Sequence, residues 1–425
     1  MKHFLLVVSP IIPAIFALEP PDPKSLWAYS GKLDAGDTVN AGLPVLNEAK
    51  HILVHDASTT GRTYAHHASV EYLNDTLYLG FSSGKIDEDQ NGQQSWVVRG
   101  KLSGGSWTFG KPRVVVESAL LSNQTSEQNY TYWCSRNIVQ RASQPNGFVQ
   151  YRGEVYAIVE FADIVCYDNG KSKYTTGSGR MAIALSNDNS VGCWLTRTSY
   201  YTEHQYSKTK LPTQQCAAQL QNGLNALLNS PALTPMSNDK LINTFGKFYG
   251  NDGKTPLIEV THAVWFGESN SGYWQRFWRD SSATSLLNWV EFSKDKDGRD
   301  WFPNTVTPQK NNIFASNIPD SNTKSFFGAL PDGRTYLVHN PQYYPGTKWR
   351  QPLVISVAND GVHFDWVRVL RTNASQEWVP DTRSVKRPGL SYPAAAVVGD
   401  YLVVLYSEDK ENMWLSQVPI SVLGK

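Results

Sequence analysis

Two adjacent histidines, His66 and His67 in RTYAHHASVEYL, are able to move a proton near neutral pH. Successive residues of a strand face opposite sides, so one imidazole is expected to reach a central space as a general base while the other packs or binds backbone. A second group is GYWQRFWRD (272–280), where Arg276 and Arg279 alternate with Trp274, Phe277 and Trp278. A guanidinium fork grips a carboxylate and aromatic faces suit sugar rings, which makes this an acidic-sugar clamp or, alternatively, arginines lying over core aromatics. Arg180 in GSGRMAIALS adds a cation at a strand start, with Tyr167 upstream. Lys324, His339, Arg350, Lys386 and Tyr392 fall at strand edges or turns. They can line a rim, with His339 as a sugar contact, but most are expected to secure turns, where loose backbone groups need partners. Asp87, Glu88 and Asp89 offer carboxylates for a structural calcium ion or form a solvated loop. Gly-rich phosphate loops, HExxH, GxSxG and EF-hand patterns are absent, which argues against nucleotide enzymes, zinc proteases and the usual serine hydrolases. No catalytic metal and no cofactor are expected.

Residues so far apart in sequence converge only if the elements that carry them are arranged around a centre. The C-terminal stretch RPGLSYPAAAVVGDYLVVLYSEDKENMWL (387–415) alternates turn signals with apolar, β-branched runs and reads as antiparallel hairpin. The same grammar recurs in 69–83, 148–161 and 326–340, with Asn-Asp, Arg-Gly and Asp-Gly at the reversals. A chain of repeated hairpins predicts an all-β propeller. Blades of about 40 to 60 residues give seven from the mature length, or six with longer loops. QQCAAQLQNGLNALLNSPAL departs from this grammar and predicts a short helical insertion near 212–230. No linker divides the chain, so 18–425 is read as one propeller domain whose terminal strands meet.

The net charge of +1 offers no broad basic surface, so nucleic acid is not an expected partner. MKHFLLVVSPIIPAIFA (1–17) has the basic start, apolar run and small final residue of a secretory signal peptide, and no later run is long enough to span a bilayer. A secreted monomer away from membranes is expected. Cys134, Cys166, Cys193 and Cys216 fit an oxidising compartment; three pairings are open, with 134–166 and 193–216 preferred, and no CxxC spacing suggests zinc. Asn74, Asn123, Asn129 and Asn373 lie in glycosylation sequons.

Four further segments, KLSGGSWTF (101–109), ALSNDNSVGCWL (184–195), FSKDKDGRDWFP (292–303) and SVANDGVHFDWV (356–367), resemble degenerate Asp-box turns of sialidase-like propellers. Together with HHASVEYLNDTLYLGFSSGKIDEDQNGQQ, TKSFFGALPDGRTYLVHNP, RQPLVISVANDGVHF and SYPAAAVVGDYLVVLYSEDKENMWL, they make the chain similar to secreted BNR-repeat propellers, nearest to rhamnose-glucuronate lyases and ulvan lyases. That resemblance implies a seven-bladed ring and a polysaccharide lyase that opens a bond at a uronic acid by β-elimination, with an L-rhamnose-α-1,4-D-glucuronate unit preferred. His66, His67, Tyr167 and Arg180 are the catalytic residues it implies, and an acidic polysaccharide or oligosaccharide is the substrate. Where some lyases place a further histidine, this chain has Ser82, Ser83 and Gly84. Two other readings stand beside it: a sialidase-like glycoside hydrolase, which needs clustered arginines and a tyrosine nucleophile paired with an acid, and a non-catalytic glycan-binding propeller.

Overall fold

Turn chemistry sets the strand pairing. Asn74 and Asp75 take φ of 50° and 56° between β2 (Tyr64–Leu73) and β3 (Thr76–Gly84), the two left-handed residues that a tight hairpin needs. Arg152-Gly153 does the same between β7 (Gln140–Tyr151) and β8 (Glu154–Cys166), at 51° and 83°. The computed structural model describes residues 19–85, 88, 93–117, 140–166, 172–188, 192–197, 214–233, 257–268, 271–281, 287–298, 301, 313–341, 350–372 and 389–425, with backbone alone at 140–142, 161–166, 172–178, 197 and 233. The expected signal peptide, the sequons at Asn123, Asn129 and Asn373, Cys134 and the side chain of Cys166 lie outside the described residues.

The strands form five antiparallel sheets in a ring, a five-bladed β-propeller. Blade one is β2-β3-β4-β5, with β4 (Gln94–Ser103) and β5 (Ser106–Phe109), and β6 (Arg113–Val116) also pairs with β4. Blade two runs β7-β8-β9-β10, with β9 (Ser172–Ala184) and β10 (Cys193–Arg197). In blade three, β11 (Leu257–Ile258) and β12 (Val264–Glu268) share the inner edge of β13 (Ser271–Asp280), followed by β14 (Leu287–Ser293) and β15 (Ile313–Pro319). Blade four is β16 (Phe326–Ala329), β17 (Thr335–His339), β18 (Leu353–Ala358) and β19 (Phe364–Arg371). Blade five takes β20 (Leu390–Val398), β21 (Tyr401–Glu408) and β22 (Asn412–Pro419) from the C-terminus and its outer strand, β1 (Lys50–His55), from near the N-terminus.

The expectation of seven blades, or six, is therefore corrected to five. The error lay in dividing length by a usual blade size: from Lys50 onward each blade consumes roughly 75 residues rather than 40 to 60, because strands such as β8 and β9 run to 13 residues and long stretches separate the sheets. The Asp-box-like segments count correctly. All four fall at the passage from the third to the fourth strand of a blade, at β4–β5, β9–β10, after β14, and at β18–β19. Blade five has no such turn because its fourth strand is β1, at the other end of the chain.

The predicted insertion is α1 (Ala218–Leu228), which buries Leu224 and Leu228 against Val149, Ile158, Ala182 and Leu195 of blade two. A disulfide between Cys193 and Cys216 ties the start of that segment to β10. Between blades, apolar faces interlock. Phe327 of blade four is fully buried, edge-on to Phe277 at 4.9 Å and beside Phe364 and Phe266 at 6.1 and 6.3 Å between ring centroids. Truncating it leaves a cavity that rigid sheets on both sides cannot fill. Phe327→Ala should cost about 3–5 kcal/mol in denaturant unfolding, and a cost below about 1 kcal/mol would show that the seam repacks.

Candidate functional site at the centre of the ring

Each blade breaks its innermost strand at one residue driven to positive φ. In blade one it is His67 (60°), with the register to β3 shifting between His66 and Ser69; in blade two Gly147 (101°); in blade three Glu259 (55°), between β11 and β12. Blade four has Asn322 (59°), just before β16, and blade five Tyr392 (55°), where the pairing shifts between Ser391 and Ala394. An extra residue in a strand re-aims side chains, and a left-handed tyrosine or glutamate stores roughly 1–3 kcal/mol of strain. Four of these five residues carry chemistry, and their side chains meet from different blades, which fixes the meeting point on the ring axis.

One half of the site is a closed network. The Tyr392 hydroxyl donates to Glu259 Oε1 at 2.6 Å and accepts from Arg279 Nη1 at 2.6 Å, and Arg279 Nη1 also reaches Glu259 Oε2 at 2.7 Å. The other side of the guanidinium donates to Asn322 Oδ1 from Nε and Nη2, at 3.1 and 2.9 Å. Burial pushes the Glu259 carboxyl up, but the Arg279 charge and the Tyr392 hydrogen bond overcome it and hold it below the usual carboxylate range. Burial, with the Glu259 charge adding to it, raises the Tyr392 phenol against the pull of Arg279, so the phenol stays protonated. The buried Arg350 guanidinium lies 5.5 Å from the centre of the Tyr392 ring.

The other half surrounds Glu88. His67 Nε2 approaches Glu88 Oε1 at 3.2 Å and His66 Nε2 approaches the same oxygen at 4.0 Å, while Lys410 Nζ binds Glu88 Oε2. Lys410 sits at the tip of the β21–β22 turn at φ 57°, and its carbonyl accepts from the Ala65 amide at 2.8 Å, so this turn bridges blade five to blade one. The Tyr64 hydroxyl donates to Glu88 Oε1 at 3.3 Å. Burial raises the Glu88 carboxyl, but Lys410 and the two imidazoles more than reverse this and hold it well below the usual range. Burial, then Lys410, keeps His66 neutral far below its ordinary value. The halves touch: the His66 ring lies 4.1 Å from the Tyr392 ring and the His67 ring 5.6 Å from it.

The bulge changes what alternation predicts for the histidine pair. Instead of facing opposite sides, His66 and His67 both aim Nε2 at Glu88, because the left-handed residue turns the second side chain to the same side as the first. Of the aromatic-arginine segment, only Arg279 reaches the centre. Arg276 faces the other side of β13, paired with Glu291 at 2.7 Å and lying 3.5 Å from the centre of the Trp301 ring, and Trp274 bonds the Lys296 carbonyl at the blade's outer part. His339 is fully buried between blades three and four, on the Pro319 carbonyl and the Ser356 hydroxyl, and burial pulls it down to about 4. Arg180 is buried opposite Glu160 in blade two and drawn down to about 10 by burial; among the described residues no contact joins it to His66 or Tyr392. Tyr167, Lys386, Asp87 and Asp89 lie outside the described residues.

Glu259 and Lys410 went unremarked in the sequence, and Tyr392, Arg350 and Glu88 were read as turn, rim or loop residues. The recoverable signal was a polar or aromatic residue interrupting an apolar inner strand beside a Pro, as in LSYPAAAVV.

Residues 259–404 match the family model described as "BNR repeat-like domain". No protein of curated function matches the chain. Among solved structures, a sialidase aligns at 19% identity and a TM-score of 0.65, covering 93% of this chain and 35% of the sialidase, so the chain spans about a third of that protein's length. The phage phi92 endosialidase (7% identity, TM-score 0.42, 88% of this chain and 69% of that one) and the NanB sialidase of Streptococcus pneumoniae (11%, 0.40, 90% and 72%) lie too far off to add to the fold assignment. The chain thus has a sialidase-like propeller fold.

Next to Arg279, Asp320 is buried with Oδ2 unbonded, and burial, helped by Asp280 and opposed by Arg279, the Thr323 amide and Arg350, pushes its carboxyl up to about 7. The folded state thus keeps a proton that the unfolded chain releases near the ordinary value of 3.8. Stability from this group is full below about pH 4 and is lost as pH rises to about 7, a swing on the order of 4 kcal/mol. Asp320→Asn should abolish that part of the slope, as read by denaturant unfolding at pH 4.5, 6 and 8; parallel slopes for variant and parent would refute the assignment.

Proposed function

We propose that the chain is a glycoside hydrolase of sialidase type, acting on glycans that carry a carboxylate-bearing sugar. The observation that carries this reading is the buried Tyr392–Glu259–Arg279 triad, with Arg350 against the same ring. The BNR repeat-like match, which includes all four of these residues, and the sialidase-like fold support it.

The chemistry follows from charge. A carboxylate nucleophile approaching an acidic sugar meets like-charge repulsion, whereas a neutral phenol does not. As the Tyr392 oxygen attacks the anomeric carbon, its proton passes to Glu259, which the site holds ionised, while the glycosidic bond breaks and the leaving oxygen takes a proton from water; Glu259 returns its proton to the phenol when a second water displaces the sugar. Arg279 stabilises the oxygen during transfer, and Arg350, beside the same ring, is the fork for the sugar carboxylate. Water then releases the glycosyl group from Tyr392 and the enzyme is restored. The His66–His67–Glu88–Lys410 cluster supplies the protic groups nearest the nucleophile on its other side.

A lyase reading keeps one observation in its favour: His66 is neutral, and its Nε2, without a hydrogen-bond partner, stands beside Lys410 and the Tyr392 ring, as a base for β-elimination would. Incubation with sialylated and with uronate-containing oligosaccharides separates the readings. Hydrolysis gives free acidic sugar with no ultraviolet chromophore, elimination gives an unsaturated uronate that absorbs, and binding without product indicates a glycan-binding propeller. With the hydrolysed substrate, Tyr392→Phe should lower kcat at least a thousandfold while binding changes little, and a slow fluorinated substrate should leave a glycosyl adduct on Tyr392 by mass spectrometry. Undiminished turnover by Tyr392→Phe would end the proposal.

A further inference from the structure

The cluster around Glu88 brings two imidazoles of β2 and a carboxylate from the connection between β3 and β4 to one point. The Ser82 hydroxyl donates to the His66 carbonyl at 3.2 Å, so at 2.7 Å it accepts from His67 Nδ1–H. The Ser407 hydroxyl lies 2.6 Å from His66 Nδ1, with the Ser391 carbonyl and hydroxyl each 3.4 Å away. A hydroxyl thus occupies Nδ1 of each ring and leaves Nε2 to face Glu88. Both Nε2 atoms point at one carboxylate oxygen, which is itself an acceptor, and His66 Nε2 is fully buried without a hydrogen-bond partner. Two ring nitrogens and a carboxylate oxygen converging in this way make a donor set of the kind that holds a metal ion.

We infer that His66 Nε2, His67 Nε2 and Glu88 Oε1 form a binding site for a divalent transition-metal ion, with zinc the best match to two imidazoles and one carboxylate. The three donor atoms lie within 4.8 Å of one another. Ligand bonds of about 2.1 Å hold donors no more than about 4.2 Å apart, so closure asks for a movement of roughly half an ångström, within reach of side-chain rotation. Ser82 and Ser407 are the outer partners that orient ligating histidines, and Lys410 holds the second oxygen of Glu88 so that the first stays directed inward. Nitrogen donors disfavour calcium and magnesium, which bind through oxygen. Three protein ligands leave a coordination position open beside Tyr392, where a sugar carboxylate or hydroxyl can complete the sphere.

The test needs no substrate, so its outcome is independent of the hydrolase reading. Untagged purified chain, stripped with chelator and equilibrated with about 100 μM Zn2+, should hold one equivalent by elemental analysis, and Co2+ should give visible absorption saturating at the same stoichiometry. His67→Asn and Glu88→Gln, checked for folding by circular dichroism, should each weaken binding more than a hundredfold. Ser82→Ala keeps all three ligands and should weaken it about ten- to a hundredfold through loss of orientation, which decides the matter if the ligand variants do not fold. Less than a tenth of an equivalent in the parent chain means that a proton on His67 does the work instead, and overturns the site. Affinity unchanged in Ser82→Ala, or in a folded ligand variant, overturns it equally.

Discussion

The centre of this molecule depends on one backbone constraint, a residue in each inner strand held at positive φ. A regular strand would send alternate side chains into the neighbouring seams and leave the axis lined by whatever pointed there by parity. The bulge breaks that parity once per blade and turns His67, Glu259, Asn322 and Tyr392 toward the centre. Strain of this kind persists only where surrounding contacts over-determine the conformation. Here the strand on one side and the polar network on the other do so: Glu259, Asn322 and Tyr392 are all held by the single guanidinium of Arg279.

The two halves of the site differ in how completely their hydrogen bonds close. Around Arg279 the donors and acceptors match, and the ion pair keeps a base ionised beside a protonated phenol, which is the state a nucleophilic tyrosine requires. Around Glu88 the carboxylate is ionised too, and two imidazoles direct Nε2 at it, that of His66 without a hydrogen-bond partner. Contact between the His66 and Tyr392 rings makes these halves one site, with the fixed positive charges of Arg279 and Lys410 on two of its sides.

Much of the fold was legible because hairpin turns are local. Asn74-Asp75 and the glycines of Arg152-Gly153 and Gly399-Asp400 take the left-handed conformations that their residue types favour. Blade number was not a local property, since it depends on how much chain lies between sheets. The four Asp-box-like turns held the answer, one per blade closed in sequence, with a fifth blade closed by β1 and therefore lacking the turn. In the site, His66, His67 and Arg279 were visible as residue types suited to proton transfer and carboxylate binding. Arg276, three residues from Arg279, looked equivalent in sequence and instead faces Glu291 and Trp301 inside its blade, because an odd spacing in a strand puts the two on opposite faces.

By itself, the sequence determined the all-β architecture, a short helical insertion and the presence of imidazole, guanidinium and aromatic groups, since turn propensity, periodicity and side-chain chemistry are properties of short stretches. Only the tertiary structure decided that Tyr392 stands on Glu259, 133 residues away, and that Lys410 and Glu88, 322 residues apart, share a carboxylate with two histidines. Those partnerships require ring closure, in which the number of blades and the bulge in each inner strand set which side chains reach the axis, and neither quantity is encoded within any one hairpin.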